Sequence, residues 1–223
     1  MTIRLTLALI ASAILPVSAQ APEVDDPAAL AAALQRRYAQ VHDFSARFVH
    51  EYDGGALRLR ATETGHVLIK KPGRMRWRYE SPERKLFVSD GRTIYSYFSE
   101  DAQVTVSAMP VAGDASAAVL LLTGKGNLTL DFRPSHVTLP DLPANAVALR
   151  FDPLTPTPEY ESLILVVDRE GLTLRQFIST DWQGGTSTFR FTDFQENVGV
   201  SDSEFIFTIP DGAEVIRHDA NPE

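Results

Sequence analysis

From residue 74 the chain runs Arg-Met-Arg-Trp-Arg-Tyr, with basic and apolar side chains in strict alternation. A period of two belongs to extended chain, whose successive side chains point to opposite faces. The stretch is either a strand, wet on one face and apolar on the other, or a basic-aromatic surface for nucleic acid. The same period recurs along the chain. Phe44, Ala46, Phe48 and His50 take one set of positions and Ser45, Arg47, Val49 and Glu51 the other. It returns in residues 57–70 and in KLFVSDG, TIYSYFS, QVTVSAM, LTLDFRP, AVALRFDP, ESLILVVDRE, LTLRQFIS, TSTFRFTDFQE and EFIFTIP. Asp53-Gly54-Gly55, Asp90-Gly91 and Glu170-Gly171 mark turns between segments, and Gly65 marks a bulge or bend. About ten short strands joined by short turns predict one large, strongly curved antiparallel sheet or open barrel.

Two segments have a different period. Asp26 is a natural N-cap and Pro27 fits the first helical position. Leu30, Leu34, Tyr38 and Val41 then form one apolar stripe, so a helix is predicted that stops near His42-Asp43. The Ala- and Leu-rich run over 114–123 predicts a second, short helix with Gly124 as its stop. The connections SHVTLPDLPAN and PLTPTPEY are rich in proline and read as surface loops. The fold class is mainly β with helices packed against the sheet.

The N-terminus carries one cation, Arg4, an apolar run from Leu5 to Leu15, and then Val17-Ser18-Ala19. That is the pattern of a secretory signal cleaved after Ala19. Residues 1–19 are therefore expected to be a signal peptide and 20–223 a single exported domain. The chain is acidic, with 29 Asp and Glu against 21 Lys and Arg. An acidic exported protein is a poor nucleic-acid binder, so the arginines at 74, 76 and 78 are expected to form a local surface. There is no cysteine, so the fold rests on an ordinary core, which 44% apolar residues can build.

Motifs for covalent chemistry are lacking. No G-x-S-x-G elbow occurs, and His42, His50, His66, His136 and His218 are scattered with no H-x-x-x-H pair. Gly124-Lys125-Gly126-Asn127 lacks the first glycine and hydroxyl partner of a phosphate loop and reads as a helix stop. No catalytic residue, metal or cofactor is expected. What remains is apolar surface. Met75, Trp77 and Tyr79 share one face of their strand, Leu86 and Val88 one face of the next, and Tyr95 and Tyr97 one face of the one after. Phe44 and Phe48 precede them; Phe189, Phe191, Phe205 and Phe207 follow. Such residues either fill a barrel core or line a pocket, and periodicity alone leaves both open.

The segments FSARFVHEY, TGHVLIKKPGRMRWRYESPERKLFVSDGRTIYSYFSEDAQVTV and AAVLLLTGKGNLTLDF resemble the LolA family, periplasmic carriers of outer-membrane lipoproteins. The resemblance runs in order along nearly the whole exported chain and is most specific at KKPGRMRW followed by VSDG. It implies an incomplete β-barrel closed by a helical lid over an apolar cavity. It implies loading by an inner-membrane Lol ABC transporter and unloading to an outer-membrane receptor lipoprotein of LolB type. The cargo would be outer-membrane-directed lipoproteins held by their acyl chains, and the carrier a monomer that binds no nucleic acid. The candidate lining is Phe48, Met75, Trp77, Tyr79, Leu86, Val88 and Tyr95, with Met75 and Trp77 against the acyl chains. In the family the basic residue before the motif's proline, often arginine, holds the lid by hydrogen bonds to lid-helix carbonyls. Here it is Lys71, which has the charge but not the planar fork. Leu121 and Leu122 stand where the lid presents apolar residues to the barrel. The competing readings are a carrier or sensor of another amphiphile such as a glycolipid, a periplasmic hydrolase with a dispersed site, and a filled barrel acting as an adaptor.

Overall fold

The computed structural model describes residues 26–55, 59–109, 122–124 and 126–218. The expected signal peptide, Leu121 and most of the expected second helix lie outside these residues. The chain begins with α1 (Pro27–Ala39), capped as expected by Asp26, whose carboxylate accepts from the amide of Ala28. Eleven strands follow: β1 (Asp43–Asp53), β2 (Arg60–Lys70), β3 (Arg74–Ser81), β4 (Lys85–Asp90), β5 (Thr93–Phe98), β6 (Gln103–Ala108), β7 (Phe132–His136), β8 (Ala146–Pro153), β9 (Ser162–Asp168), β10 (Leu174–Thr180) and β11 (Thr186–Glu196). A 3-10 turn, Asp202–Phe205, and β12 (Glu214–His218) complete the described chain.

All twelve strands form one sheet, in the order β12-β6-β5-β4-β3-β2-β1-β11-β10-β9-β8-β7. Neighbours are antiparallel except β12, which runs parallel to β6. The two edges, β12 and β7, are not paired with each other, so the barrel is open. The sheet curls strongly. Trp77 in β3 and Phe189 in β11 are three strand spacings apart, about 14 Å in a flat sheet, yet their rings lie 5.2 Å apart. Gly65 sits at an irregularity in the β2–β3 register, as its place in the sequence suggests.

The concave face carries one continuous core drawn from β1–β3 and β8–β11, including Phe44, Phe48, Trp77, Phe151, Leu165 and Phe177. Helix α1 packs into the same core through Leu30, Ala31 and Leu34. The convex face is covered at two places by loops. Residues 137–142 pack against Ala146, Ala148 and Val166 of β8 and β9. Residues 200–207 cross β3 and β4, burying Phe205 to 1% exposure.

That crossing corrects one expectation. EFIFTIP is not a strand, because the segment lies across the sheet instead of in it. Phe205 is buried, Ile206 is 68% exposed and Phe207 stacks on Tyr95 at 5.3 Å. Burial alternates, but no strand pairs with the segment. The edge strand β12, only five residues long, was not foreseen, and LTLDFRP enters the sheet only at Phe132.

Candidate functional site

The concave face is built around Phe48. Its ring meets Trp77 at 5.1 Å, Tyr79 at 4.9 Å and Phe189 at 6.0 Å, all three edge-on. Gly65, opposite Phe48 in the ladder, makes this possible: a Cβ there would fall 2.6 Å from the Phe48 ring and 2.1 Å from the Arg78 carbonyl oxygen. Phe48, Met75 and Trp77 are buried on this face and Tyr79 is half-buried. Phe177, Phe189, Phe191, Leu163 and Leu165 complete the apolar surface from the other half of the sheet.

Leu86, Val88 and Tyr95 lie on the opposite, convex face. The ladder pairs Leu86 with Arg78 and Val88 with Arg76, and Tyr95 pairs with Val88. Directly paired residues share a face, so these three side with the arginines. The apolar concave positions of β4 and β5 are Phe87, Ile94 and Phe98; Phe87 meets Tyr79 at 5.6 Å and Phe98 at 5.9 Å. The cause is register. Period two fixes facing within one strand, whereas the connection at 82–84 fixes which face of β4 joins which face of β3.

The arginines of β3 are held by acidic residues and carbonyls of their own chain. Arg74 pairs with Asp202 at 3.0 Å, Arg76 donates to the Glu204 carbonyl at 2.9 Å, and Arg78 pairs with Glu80 at 2.9 Å. Arg74 and Arg76 clamp the crossing segment, and all three face away from the apolar interior.

At the end of the barrel near α1, a relay of bonds closes the concave face. The Lys71 ammonium donates to the Tyr38 carbonyl at 2.5 Å and lies 3.4 Å from the centroid of the Tyr38 ring. The Tyr38 hydroxyl donates to the Leu122 carbonyl at 2.9 Å. Leu122 is 1% exposed and belongs to the core. Gly124 has φ +75° and would press a Cβ to 2.8 Å from Lys71 Cδ, so only glycine fits beside the lysine stem. Gln35 accepts from the Leu128 amide, and Arg37 pairs with Glu196 and donates to the Gly171 carbonyl. Burial pulls the Lys71 ammonium down to about 8, with Glu196 pulling the other way. Burial also pushes the Tyr38 phenol far up, with Glu196 adding to it, so the hydroxyl stays a donor. Beneath the relay lies a space of about 20 Å³ among Leu34, Tyr38, Leu122, Leu128, Leu165 and Phe194. That is room for about one water molecule.

A polar group sits on the same face at the opposite end of β1. His50 stacks flat on Phe189 at 4.1 Å. Its Nδ1 lies 3.1 Å from Glu63 and its Nε2 2.7 Å from Ser187 Oγ. Lys85 donates to the other Glu63 oxygen at 2.6 Å. The carboxylate makes Nδ1 the protonated nitrogen, so neutral His50 accepts from Ser187. Burial lowers the pKa of His50, with Glu63 opposing it. The contacts match a Ser-His-acid triad, but Ser187 is flanked by Tyr52 and Ser179 in mid-sheet. Its backbone serves the ladders and does not supply the free donors that an oxyanion needs. Sequence reading missed this cluster because its four members come from four strands and match no motif.

The family model described as "Outer membrane lipoprotein carrier protein LolA" matches residues 39–208. The chain belongs to the LolA family. An "Outer-membrane lipoprotein carrier protein" of Chromohalobacter salexigens is 32% identical over 211 residues, 95% of either chain. Another relative of the same description, from Alkalilimnicola ehrlichii, is 29% identical over 217 residues, 97% of either chain. Among solved structures, an uncharacterized conserved protein from Thermus thermophilus superposes with a TM-score of 0.53 at 14% identity, over 85% of this chain and 99% of that one. That likeness concerns the fold.

Proposed function

We propose that this protein is a periplasmic lipoprotein carrier that takes acyl chains onto the concave face and shuttles them between the two membranes. The observation that carries this is the pairing of a continuous apolar face with a short polar relay, Lys71–Tyr38–Leu122, that closes it. Loading from an inner-membrane Lol ABC transporter and delivery to an outer-membrane receptor lipoprotein of LolB type complete the proposal.

The energetics fit such a carrier. Each buried methylene is worth roughly 0.8 kcal/mol, so a sixteen-carbon chain withdrawn from water is worth on the order of 12 kcal/mol. A few hydrogen bonds, each worth about 1 kcal/mol net, are weak enough for acyl chains to displace. They are also enough to re-cover the face once the chains leave. Met75, Trp77, Phe48 and Tyr79 would touch the chains; Lys71 and Leu122 would act in the lid. No covalent step is required.

The ring packing around Phe48 also fits an adaptor with no cargo, and Ser187–His50–Glu63 has the contacts, though not the oxyanion donors, of a hydrolase. One experiment separates them. The protein is mixed with a triacylated lipoprotein in detergent, the detergent is removed, and the soluble fraction is analysed by native mass spectrometry. A soluble one-to-one complex with intact acyl chains is expected. Aggregated lipoprotein beside unliganded protein would favour the adaptor, and released fatty acid, lost in Ser187→Ala, the hydrolase.

A further inference from the structure

A second, larger opening lies at the end of the barrel away from the relay. It is a pocket of about 480 Å³ at the β3–β4–β5 end, lined by Arg78, Tyr79, Arg84, Lys85, Leu86 and Tyr97, with Glu80 and Ser99 completing it. That volume is within the range of small-molecule sites. Its cations are not all used. Arg78 is paired with Glu80, but the exposed Arg84 guanidinium has no ion pair or hydrogen bond among the described residues. Lys85 donates to Glu63 at 2.6 Å and lies 3.4 Å from Glu83, which leaves one of its three ammonium hydrogens. The Tyr79 and Tyr97 hydroxyls make no hydrogen bond among the described residues and are donors too.

The pocket wraps round the β3–β4 end of the barrel: Arg78, Leu86 and Tyr97 line it from the convex face and Lys85 and Tyr79 from the concave face. The Tyr79 ring packs edge-on against Phe48 at 4.9 Å and Phe87 at 5.6 Å, and lies 6.2 Å from His50. Lys85 is likewise tied through Glu63 to His50 on the concave face. A ligand whose polar head sits on Arg84 and Lys85 has the concave side of this rim, Tyr79 and behind it Phe48, as its nearest apolar surface. The largely buried Glu63–Lys85–His50 group is costly to place beside aromatic rings unless it orients groups that do something. Here it holds the Lys85 ammonium at the rim.

Building on the carrier reading, we propose that this pocket is the head-group subsite for acylated ligands. It takes acceptor oxygens, a phosphate or glyceryl ester carbonyls, while the attached chain enters the barrel. Unused donors facing acceptors are the complementarity that selects the occupant.

The test uses three probes of equal chain length, below their micelle concentrations: hexadecyl phosphate, 1-palmitoylglycerol and hexadecyltrimethylammonium. Binding to the purified protein is followed calorimetrically. Hexadecyl phosphate and palmitoylglycerol are expected to bind, and the cationic probe at least about tenfold more weakly than the phosphate. The stronger of the first two identifies the source, an anionic lipid or the diacylglyceryl group of a lipoprotein. Arg84→Glu, a change at an exposed side chain, is expected to weaken hexadecyl phosphate about tenfold at an unchanged melting temperature. Equal affinity for all three probes, or full hexadecyl phosphate affinity in Arg84→Glu, overturns the subsite. Lipoprotein uptake is measured separately on the wild type. Uptake without head-group selection removes the subsite and leaves the carrier; selection without uptake does the reverse.

Discussion

The two faces of β3 are sealed in different ways. On the concave side Met75 and Trp77 belong to the core that also takes in α1 and Leu122, which are joined through the hydrogen bonds of Tyr38 and Lys71. On the convex side Arg74 and Arg76 hold a segment whose Phe205 and Phe207 sink into the sheet surface. The concave cover is latched by polar contacts over apolar residues that could serve a ligand as well as they serve the helix. The convex cover is anchored by its own buried aromatic rings. A cover that must be displaced is best held by few directional bonds; one that must stay is best held by buried area.

Truncating a buried ring on either side tests this most strongly. Phe205→Ala and Trp77→Ala are each expected to cost about 3–5 kcal/mol in urea unfolding. Only Trp77→Ala is expected to lower the amount of acylated ligand taken up per folded molecule. If Phe205→Ala lowers uptake as much, the convex side is not the inert side. Next in size is Tyr38→Phe, which keeps the ring under Lys71 but leaves the Leu122 carbonyl without its donor. The concave cover is expected to lose about 1 kcal/mol. This is read as faster amide exchange across α1, with exchange around residues 200–207 unchanged. Equal acceleration at both places would mean that the two covers open together.

Much of this contrast was legible in the sequence on one side and not on the other. β3 alternates basic and apolar residues, so its faces could be assigned from the pattern. β4 and β5 carry large apolar residues on both faces, Leu86 and Val88 against Phe87, Tyr95 and Tyr97 against Ile94 and Phe98. Only the register, set by the connection at 82–84, tells which set looks inward. Phe205, Ile206 and Phe207 alternate like a strand because they lie extended on a surface, and alternation does not distinguish a sheet partner from a surface. Lys71 was legible through its motif. Its actual partner was not, since Tyr38 is 33 residues away and hands the contact on to Leu122, 84 residues further from the tyrosine. The lysine holds α1, and the tyrosine holds the residues beyond it.

That arrangement makes the relay sensitive to pH. Burial holds Lys71 at about 8 in the closed form, while a lysine freed into water returns to its ordinary 10.5. Between those values the open form binds more protons, so raising the pH favours the closed form. Ligand uptake is expected to slow several-fold over that window relative to neutral pH, as followed by stopped-flow fluorescence. In Lys71→Arg the guanidinium stays charged and uptake is expected to be flat with pH. In Lys71→Leu the Tyr38 carbonyl loses its donor, and release to a receptor is expected to slow because less closing energy drives it. A pH dependence that survives in Lys71→Arg would move the switch to another group.

The smallest expected effect bears most directly on the contrast. Asp202 receives both Lys70, at 2.5 Å, and Arg74, at 3.0 Å. The Lys70 hydrogen bond, with the charge of Arg74, holds its carboxyl below the usual carboxylate range. Such a group adds stability above its ordinary pKa and loses it as the pH falls through the lowered value. The side chain is 65% exposed, so solvent and salt screen the pair. Asp202→Asn is therefore expected to flatten the acid limb of the stability profile slightly and to leave Phe205 seated, as read by amide exchange at Phe205 and Phe207. If the substitution instead releases the segment, the ion pairs hold the convex cover and both faces of β3 are latched by polar contacts. The difference between a displaceable and a permanent cover would then rest on the apolar interior alone.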